Sequence, residues 1–173
     1  MRKVSIVSTC SGNGKTTLGK QLASILEVPF VELDALVHGP NWTETPDDEL
    51  IRMLEPILAG DGWVIDGNYS AKFGNLVLEL ADTVVWLDLP IRVWLPRLIR
   101  RTTRRILQRE ELWNGNRESL KDAIGRKDAL IPFAFRMHRQ RRRTYPTRLA
   151  AFPTVRLRTP AEVEAFVSSA GGP

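Results

Sequence analysis

Apolar residues recur along this chain in two rhythms. Short runs read as strands: "KVSIVS" (3–8), "PFVELD" (29–34), "WVIDG" (63–67), "DTVVWLDLP" (82–90) and "TVRLR" (154–158). The fourth is apolar almost throughout, as expected of a strand buried on both faces. Between these runs the spacing turns helical. "KTTLGKQLASILE" (15–27) places Leu18, Leu22, Ile25 and Leu26 on one face. "TPDDELIRMLEPIL" (45–58) opens with a Thr-Pro and early acids, a helix start, and Pro56 is expected to kink or end it. A basic helix is expected over 91–110, a loop at "LWNGNRES" (112–119), and a second helix over 120–142. "TPAEVEAFVSS" (159–169) reads as the last helix, capped by Thr159 with Pro160 at its first position, before a frayed "AGGP" tail (170–173). Strands alternating with helices predict an α/β chain with a parallel sheet covered on both sides. At 173 residues, one domain is expected.

Composition changes the picture little; charge changes it more. A hydrophobic share of 43% and a charged share of 26% are ordinary for a globular chain. The single cysteine, Cys10, excludes an internal disulfide and suits a reducing, cytoplasmic setting. Nothing near the N-terminus reads as a signal peptide, and no apolar run is long enough to span a membrane. The net charge of +5 is uneven: residues 92–148 hold 17 Lys plus Arg against 5 Asp plus Glu. Such a field attracts polyanions, nucleotides and nucleic acid among them.

The chemistry begins at "STCSGNGKTT" (8–17), which follows a strand and opens a helix. It fits Gly-x-x-x-x-Gly-Lys-[Ser/Thr], a phosphate-binding loop (Walker A), except that Thr9 stands at the first glycine. Gly12 and Gly14 permit the backbone turns that aim successive N–H groups, from Ser11 and Asn13 onward, at an anion. The helix N-terminus adds partial positive charge. Lys15 would reach the β- and γ-phosphates of ATP, Thr16 would help hold Mg²⁺, and Thr17 would contact the α-phosphate. Cys10 reads as a small filler. Asp34 and Asp66 end the second and third strands, where ligands bind in open α/β sheets. Asp66 is a candidate for the metal or for the acceptor, and Asp34 for orienting or deprotonating an acceptor hydroxyl. Asp88 reads as a turn residue. Trp42 in "HGPNW" suits a pocket wall, and His38 beside it a polar contact. Arg97, Arg101, Arg105 and Arg109 repeat every four residues and would share one helix face, with Leu95, Leu98, Ile99, Thr102 and Ile106 turned to the sheet. Guanidiniums beside a triphosphate stabilise the charge of phosphoryl transfer. The basic run "RMHRQRRRTY" (136–145) supports a second, nucleic-acid-binding alternative.

These motifs resemble the P-loop small-molecule kinases, a group that includes adenylate, shikimate and gluconate kinases. "LDALVHGPNW", "WVIDGNY" and "RRTTRRILQREELWNGNRES" are similar to segments of an adenylate kinase-like, "DNA topology modulation protein"-like subgroup. The resemblance implies a three-layer α/β/α P-loop NTPase fold with sheet order 2-3-1-4-5 and an arginine-rich helical lid at about 105–125. It implies nucleotide contacts for Arg97 and Arg101, lid closure by Arg117, and Arg158, Thr159 and Pro160 beside the adenine. Asp66-Gly67-Asn68-Tyr69 stands where adenylate kinases carry Asp-Gly-Phe-Pro-Arg, so the arginine that grips AMP is missing and Lys72 is the nearest cation. Asn68, Tyr69 and Lys72 are nevertheless candidates for the acceptor. The implied activity is transfer of the γ-phosphoryl of Mg-ATP to a small molecule, a nucleotide first and a hydroxyl-bearing metabolite as the alternative.

Overall fold

A computed structural model describes residues 1–125 and 129–171. The elements run β1 (Lys3–Ser8), α1 (Lys15–Leu26), β2 (Phe30–Glu32), α2 (Leu33–Val37), α3 (Asp47–Leu58) and β3 (Trp63–Asp66). They continue through α4 (Ser70–Phe73), α5 (Leu76–Leu80), β4 (Thr83–Leu87), α6 (Ile91–Leu107), α7 (Leu120–Ile124), α8 (Leu130–Arg148), β5 (Thr154–Leu157) and α9 (Pro160–Ala170). Short 3-10 turns occupy Pro40–Trp42, Trp113–Gly115 and Leu149–Ala151. The five strands form one parallel sheet in the order β2-β3-β1-β4-β5. This is the expected three-layer α/β/α architecture of the P-loop kinases.

Strand periodicity divides the core. Val4 and Ile6 of β1, Val64 of β3, and Val85 and Leu87 of β4 pack with Leu18 and Leu22 of α1 and with Phe166 of α9. Their neighbours Val7, Trp63, Ile65, Val84 and Trp86 face the other way, onto α3, α5 and Tyr145 of α8. Both faces are therefore apolar, and every strand end that carries polar groups stands out chemically. A third cluster joins Cys10 to Trp94 and Leu98 of α6 and Ala134 of α8, beneath the loop after β1.

Several sequence expectations shift. Asp34 lies in the first turn of α2 rather than at the end of β2, which stops at Glu32. Pro56 does not end α3, which continues to Leu58; the residue is exposed, so the carbonyl it leaves unpaired meets solvent. Pro96 in α6 and Pro146 in α8 are exposed in the same way. The helix expected over 120–142 is two helices, and α8 runs on to Arg148; residues 126–128 of that expectation, and 172–173 of the expected tail, lie outside the described residues. Helix α6 ends at Leu107, and Arg109 takes a left-handed conformation (φ 48°), so it leaves the face shared by Arg97, Arg101 and Arg105. Ile99 is exposed; the buried stripe of α6 is Trp94, Leu98 and Thr102. No described helix is long and apolar enough to cross a membrane.

Candidate active site

The loop between β1 and α1 is built by two glycines and one asparagine. Gly12 (φ 85°) and Gly14 (φ 89°) are left-handed, and Gly14 caps α1. A Cβ on Gly12 would meet the Trp94 carbonyl at 2.6 Å, so α6 can lie against the loop only there. The buried Asn13 side chain staples the loop from inside. It donates to the Cys10 carbonyl (3.0 Å) and accepts from the Leu89 N–H (3.2 Å). The first-turn N–H groups of α1 are then directed outward, with no partner from the helix itself. Arg97 lies over the cradle, its Nη1 3.9 Å from where a Gly14 Cβ would stand.

Below the cradle, sheet register gathers acids. Glu32 and Asp66 are partners on adjacent strands, at the ends of β2 and β3. Lys15 Nζ lies 3.4 Å from Asp66 Oδ1. The Thr16 hydroxyl stands 2.8 Å from Asp66 Oδ2 and 3.0 Å from Glu32 Oε1. One hydroxyl proton serves only one of these carboxylates at a time, and the other contact brings oxygen lone pairs together. A divalent cation here would relieve that. Among the described residues no group of three His, Cys, Asp or Glu gathers tightly enough to hold a metal alone. That suits Mg²⁺, which takes one or two carboxylates and completes its shell from phosphates and water. Burial pushes the Asp66 carboxyl up, against Lys15 and Thr16, with Asp34 and Glu32 adding to the rise. Burial works against the Lys15 ammonium, but Asp66 and Asp34 outweigh it and hold its pKa above the ordinary lysine value.

Asp34 forms the other wall. Tyr69 donates its phenol proton to Asp34 Oδ1 (2.5 Å), and its oxygen lies 3.3 Å from His38 Nε2. Burial first, then the Asp34 charge, raise the Tyr69 pKa, so the phenol stays a donor. Partly buried Arg101 feels burial and Arg105, which lower its pKa, and Glu118, Asp34 and Glu32, which oppose that; its Nε lacks a hydrogen-bond partner among the described residues. An aromatic group closes the wall: His38 meets Trp42 edge-on at 5.6 Å and stacks on Trp113 at 6.1 Å. Trp113 Nε1 in turn donates to Glu32 Oε2 (3.3 Å).

Trp113 belongs to the lid segment between α6 and α7, which is clasped onto residues 35–42. Asn114 Nδ2 donates to the His38 carbonyl (2.6 Å) and, at 3.4 Å, to that of Ala35. Asn116 donates to the Gly39 carbonyl (2.9 Å) and accepts from the Trp42 N–H (2.9 Å). The two touching turns share a form: Asn41 and Asn114 both have φ 56°, and isolated antiparallel bridges, His38 with Glu44 and Glu111 with Arg117, flank them.

Thus Lys15, Thr16, Asp34, His38, Trp42, Asp66, Tyr69 and Arg101 come together, and Arg97 stands over the loop. The other expected residues have the following partners. Lys72 pairs with Glu44 and Asp47, at 3.0 Å each. The Asn68 amide donates to the Tyr145 hydroxyl. Arg117 is 57% exposed, beside Glu111 (3.7 Å). Thr159 caps α9, and Glu162 accepts from the Arg158 N–H, so Arg158 and Pro160 lie at the far edge strand's end. Asp88 is no simple turn residue: Arg142 (3.1 Å) and Arg156 (2.5 Å) hold it buried, and Arg156 also covers the Trp86 ring.

Four contributors were not expected: Glu32, Trp113 with its flanking asparagines, His138 and Arg141. Arg141 Nη1 donates to the Ser8 carbonyl (3.2 Å), and its charge reaches Lys15 and Cys10. A usable signal existed in "VELD", which sets two acids two residues apart at a strand end, and in the i, i+3 spacing of "HRQR". Cys10 is the inert filler expected. Burial raises its thiol to about 12. A thiol reagent at pH 8 should therefore leave the native chain unmodified and label one equivalent only after unfolding; rapid native labelling would contradict the burial.

None of the protein-family models matches the chain. A shikimate kinase of Sulfurihydrogenibium sp. (strain YO3AOP1) is 32% identical over 101 residues. That match covers 50% of this chain, which spans 61% of the relative's length. Among solved structures, a shikimate kinase from Bacteroides thetaiotaomicron superposes with a TM-score of 0.55 at 20% identity, over 98% of this chain and 96% of the other. A gluconokinase from Sinorhizobium meliloti 1021 gives 0.56 at 18% identity, over 98% and 89%. These likenesses show the P-loop kinase fold.

Proposed function

We propose that this chain is an ATP-dependent kinase that phosphorylates a hydroxyl group of a small metabolite. The observation that carries the reading is the Asp34 carboxylate, fixed by Tyr69 and near enough to Lys15 to raise its pKa. The loop N–H groups, Lys15 and Arg97 bind the triphosphate. Thr16 and Asp66, with Glu32, hold Mg²⁺, which neutralises phosphate charge when bound. Tyr69 occupies one Asp34 oxygen and leaves the other for the acceptor hydroxyl. As the acceptor O–P bond forms and the bond to the β-phosphate oxygen breaks, Asp34 takes the hydroxyl proton and ADP leaves. Lys15, Arg101 and Arg141 stabilise the charge spread over the transferring group. The clasped lid keeps water out.

The acceptor side favours a metabolite over a nucleoside monophosphate. The cations that would grip an acceptor phosphate are committed elsewhere. Arg52 on α3 is 70% exposed and pairs with Asp48, and Lys72 is held by two acids. Similarity to shikimate kinases and a gluconokinase points the same way. None of these relatives is named for nucleic-acid binding. Coupled ADP release with shikimate, gluconate, sugars and polyols, against AMP, dAMP and CMP, tests this. A metabolite alcohol should accelerate release at least about tenfold, a modest share of the gain expected from orienting a bound acceptor; acceleration by monophosphates alone would overturn the reading.

A further inference from the structure

The departure at Thr9 has a partner 129 residues away. Thr9 is fully buried, and its hydroxyl lies 3.1 Å from Nδ1 of His138 on α8, itself only 3% exposed. Asn13 Nδ2 also donates to the Thr9 oxygen, at 3.4 Å. So the hydroxyl accepts from the loop's internal staple, and its own proton has two acceptors, the Cys10 sulfur and His138 Nδ1, of which a bare imidazole nitrogen is the stronger. A glycine at this position, as the phosphate-loop pattern has it, offers nothing for α8 to hold. Arg141, one turn along the same face, donates to the Ser8 carbonyl. Helix α8 thus touches the first turn of the loop at two successive points. His138 contributes nothing to the transfer chemistry described above, and it packs against Trp94, whose carbonyl closes on Gly12.

We propose that His138 is a positioning residue of the phosphate loop: acting through the Thr9 hydroxyl, it holds the loop in its nucleotide-binding form, and does so only as the neutral imidazole. Accepting the Thr9 proton requires a bare Nδ1. Protonation places an N–H there, turns donor against donor, and buries a charge. The surroundings favour the neutral form. Burial lowers the His138 pKa, Arg142 on its own helix lowers it further, and Asp88 at the end of β4 opposes both. Asp88 is already neutralised by Arg142 and Arg156. The groups in direct contact with the ring, Thr9 and Trp94, are uncharged, and Arg141, one turn along α8, is also cationic. The proposal rests on the ATP-binding reading of the loop.

The test is MgATP affinity by calorimetry between pH 8 and pH 5.5. At pH 8, His138→Leu should weaken binding about tenfold, as should Thr9→Val, which keeps the shape and removes the hydroxyl. The double variant should be no weaker than either single one. His138→Asn restores a hydrogen-bonding atom near the Nδ1 position. It should bind within about threefold of wild type at pH 8 and lose the extra weakening that wild type shows at pH 5.5. His138→Asn and Thr9→Val also serve if His138→Leu does not fold. Additive single effects, or a wild-type pH profile unchanged in His138→Asn, would overturn the proposal while leaving the kinase reading intact. Failure of wild type itself to bind MgATP would overturn both.

Discussion

Lys15→Ala should lower kcat/KM for phosphoryl transfer by about 10³-fold, the upper end for loss of one charged donor on a transferring group. MgATP affinity should fall with it, because in the proposed mechanism the Lys15 ammonium would pair with the triphosphate. The substitution also strands Asp66, which is 2% exposed and keeps Glu32 and Asp34 as neighbours. Breaking such a pair costs roughly 3 kcal/mol. The pH dependence follows from the direction of the Asp66 shift. Its folded-state pKa lies above the unfolded value, so the folded state binds more protons, and stability falls as pH rises through that window. Without Lys15 the window extends upward. The melting-temperature deficit of Lys15→Ala should therefore be larger at pH 8 than at pH 5. Calorimetric titration and thermal unfolding read the two effects separately. Unchanged MgATP affinity would remove the loop from the mechanism.

Asp34→Asn is the second large effect, and its signature is different. Asparagine still accepts from Tyr69 through its carbonyl oxygen, so the wall keeps its shape. What the proposed mechanism loses is the proton acceptor for the substrate hydroxyl, a role that contributes about 10²–10⁴-fold in general base catalysis. kcat should fall by about 10³-fold while the KM for ATP stays within about twofold. Tyr69→Phe removes the restraint on Asp34 together with the longer His38 contact, and should cost about tenfold in kcat, the value of one hydrogen bond. Steady-state kinetics with the acceptor identified by ADP release decides the matter. A loss below tenfold for Asp34→Asn would show that Asp34 positions the acceptor without taking its proton.

The parts of this molecule that were legible in the sequence are those written by near neighbours. The five strands follow from runs of Val, Ile and Leu. The phosphate loop follows from Gly12, Gly14 and Lys15, within four residues of each other. Thr16 and Asp66 could be paired in advance because strand ends in a parallel sheet converge. The missed parts are tertiary. Glu32 matters because its register partner is Asp66, and no local pattern states that β2 lies beside β3. His138 looks like one polar residue in an arginine-rich helix until α8 is laid against the loop. The resemblance implies a phosphate contact for Arg117, and its ion pair with Glu111 is a tertiary feature no local pattern states. Pro56 misled because a helix tolerates a proline whose freed carbonyl faces water.

The asparagine hydrogen bonds between the segment after α6 and residues 35–42 reach main chain only: the carbonyls of Ala35, His38 and Gly39 and the N–H of Trp42; among the described residues, the side-chain contact between them is the His38 ring on Trp113. Side-chain identity on that segment is therefore decoupled from the asparagine bonds, though the Trp113 stack depends on His38. His38 and Trp42, the side chains there that face the acceptor wall, are free to be exchanged without loss of the asparagine bonds. Under the proposed function, such a chain could change the side chains of its acceptor pocket while the same two asparagines go on joining the two turns.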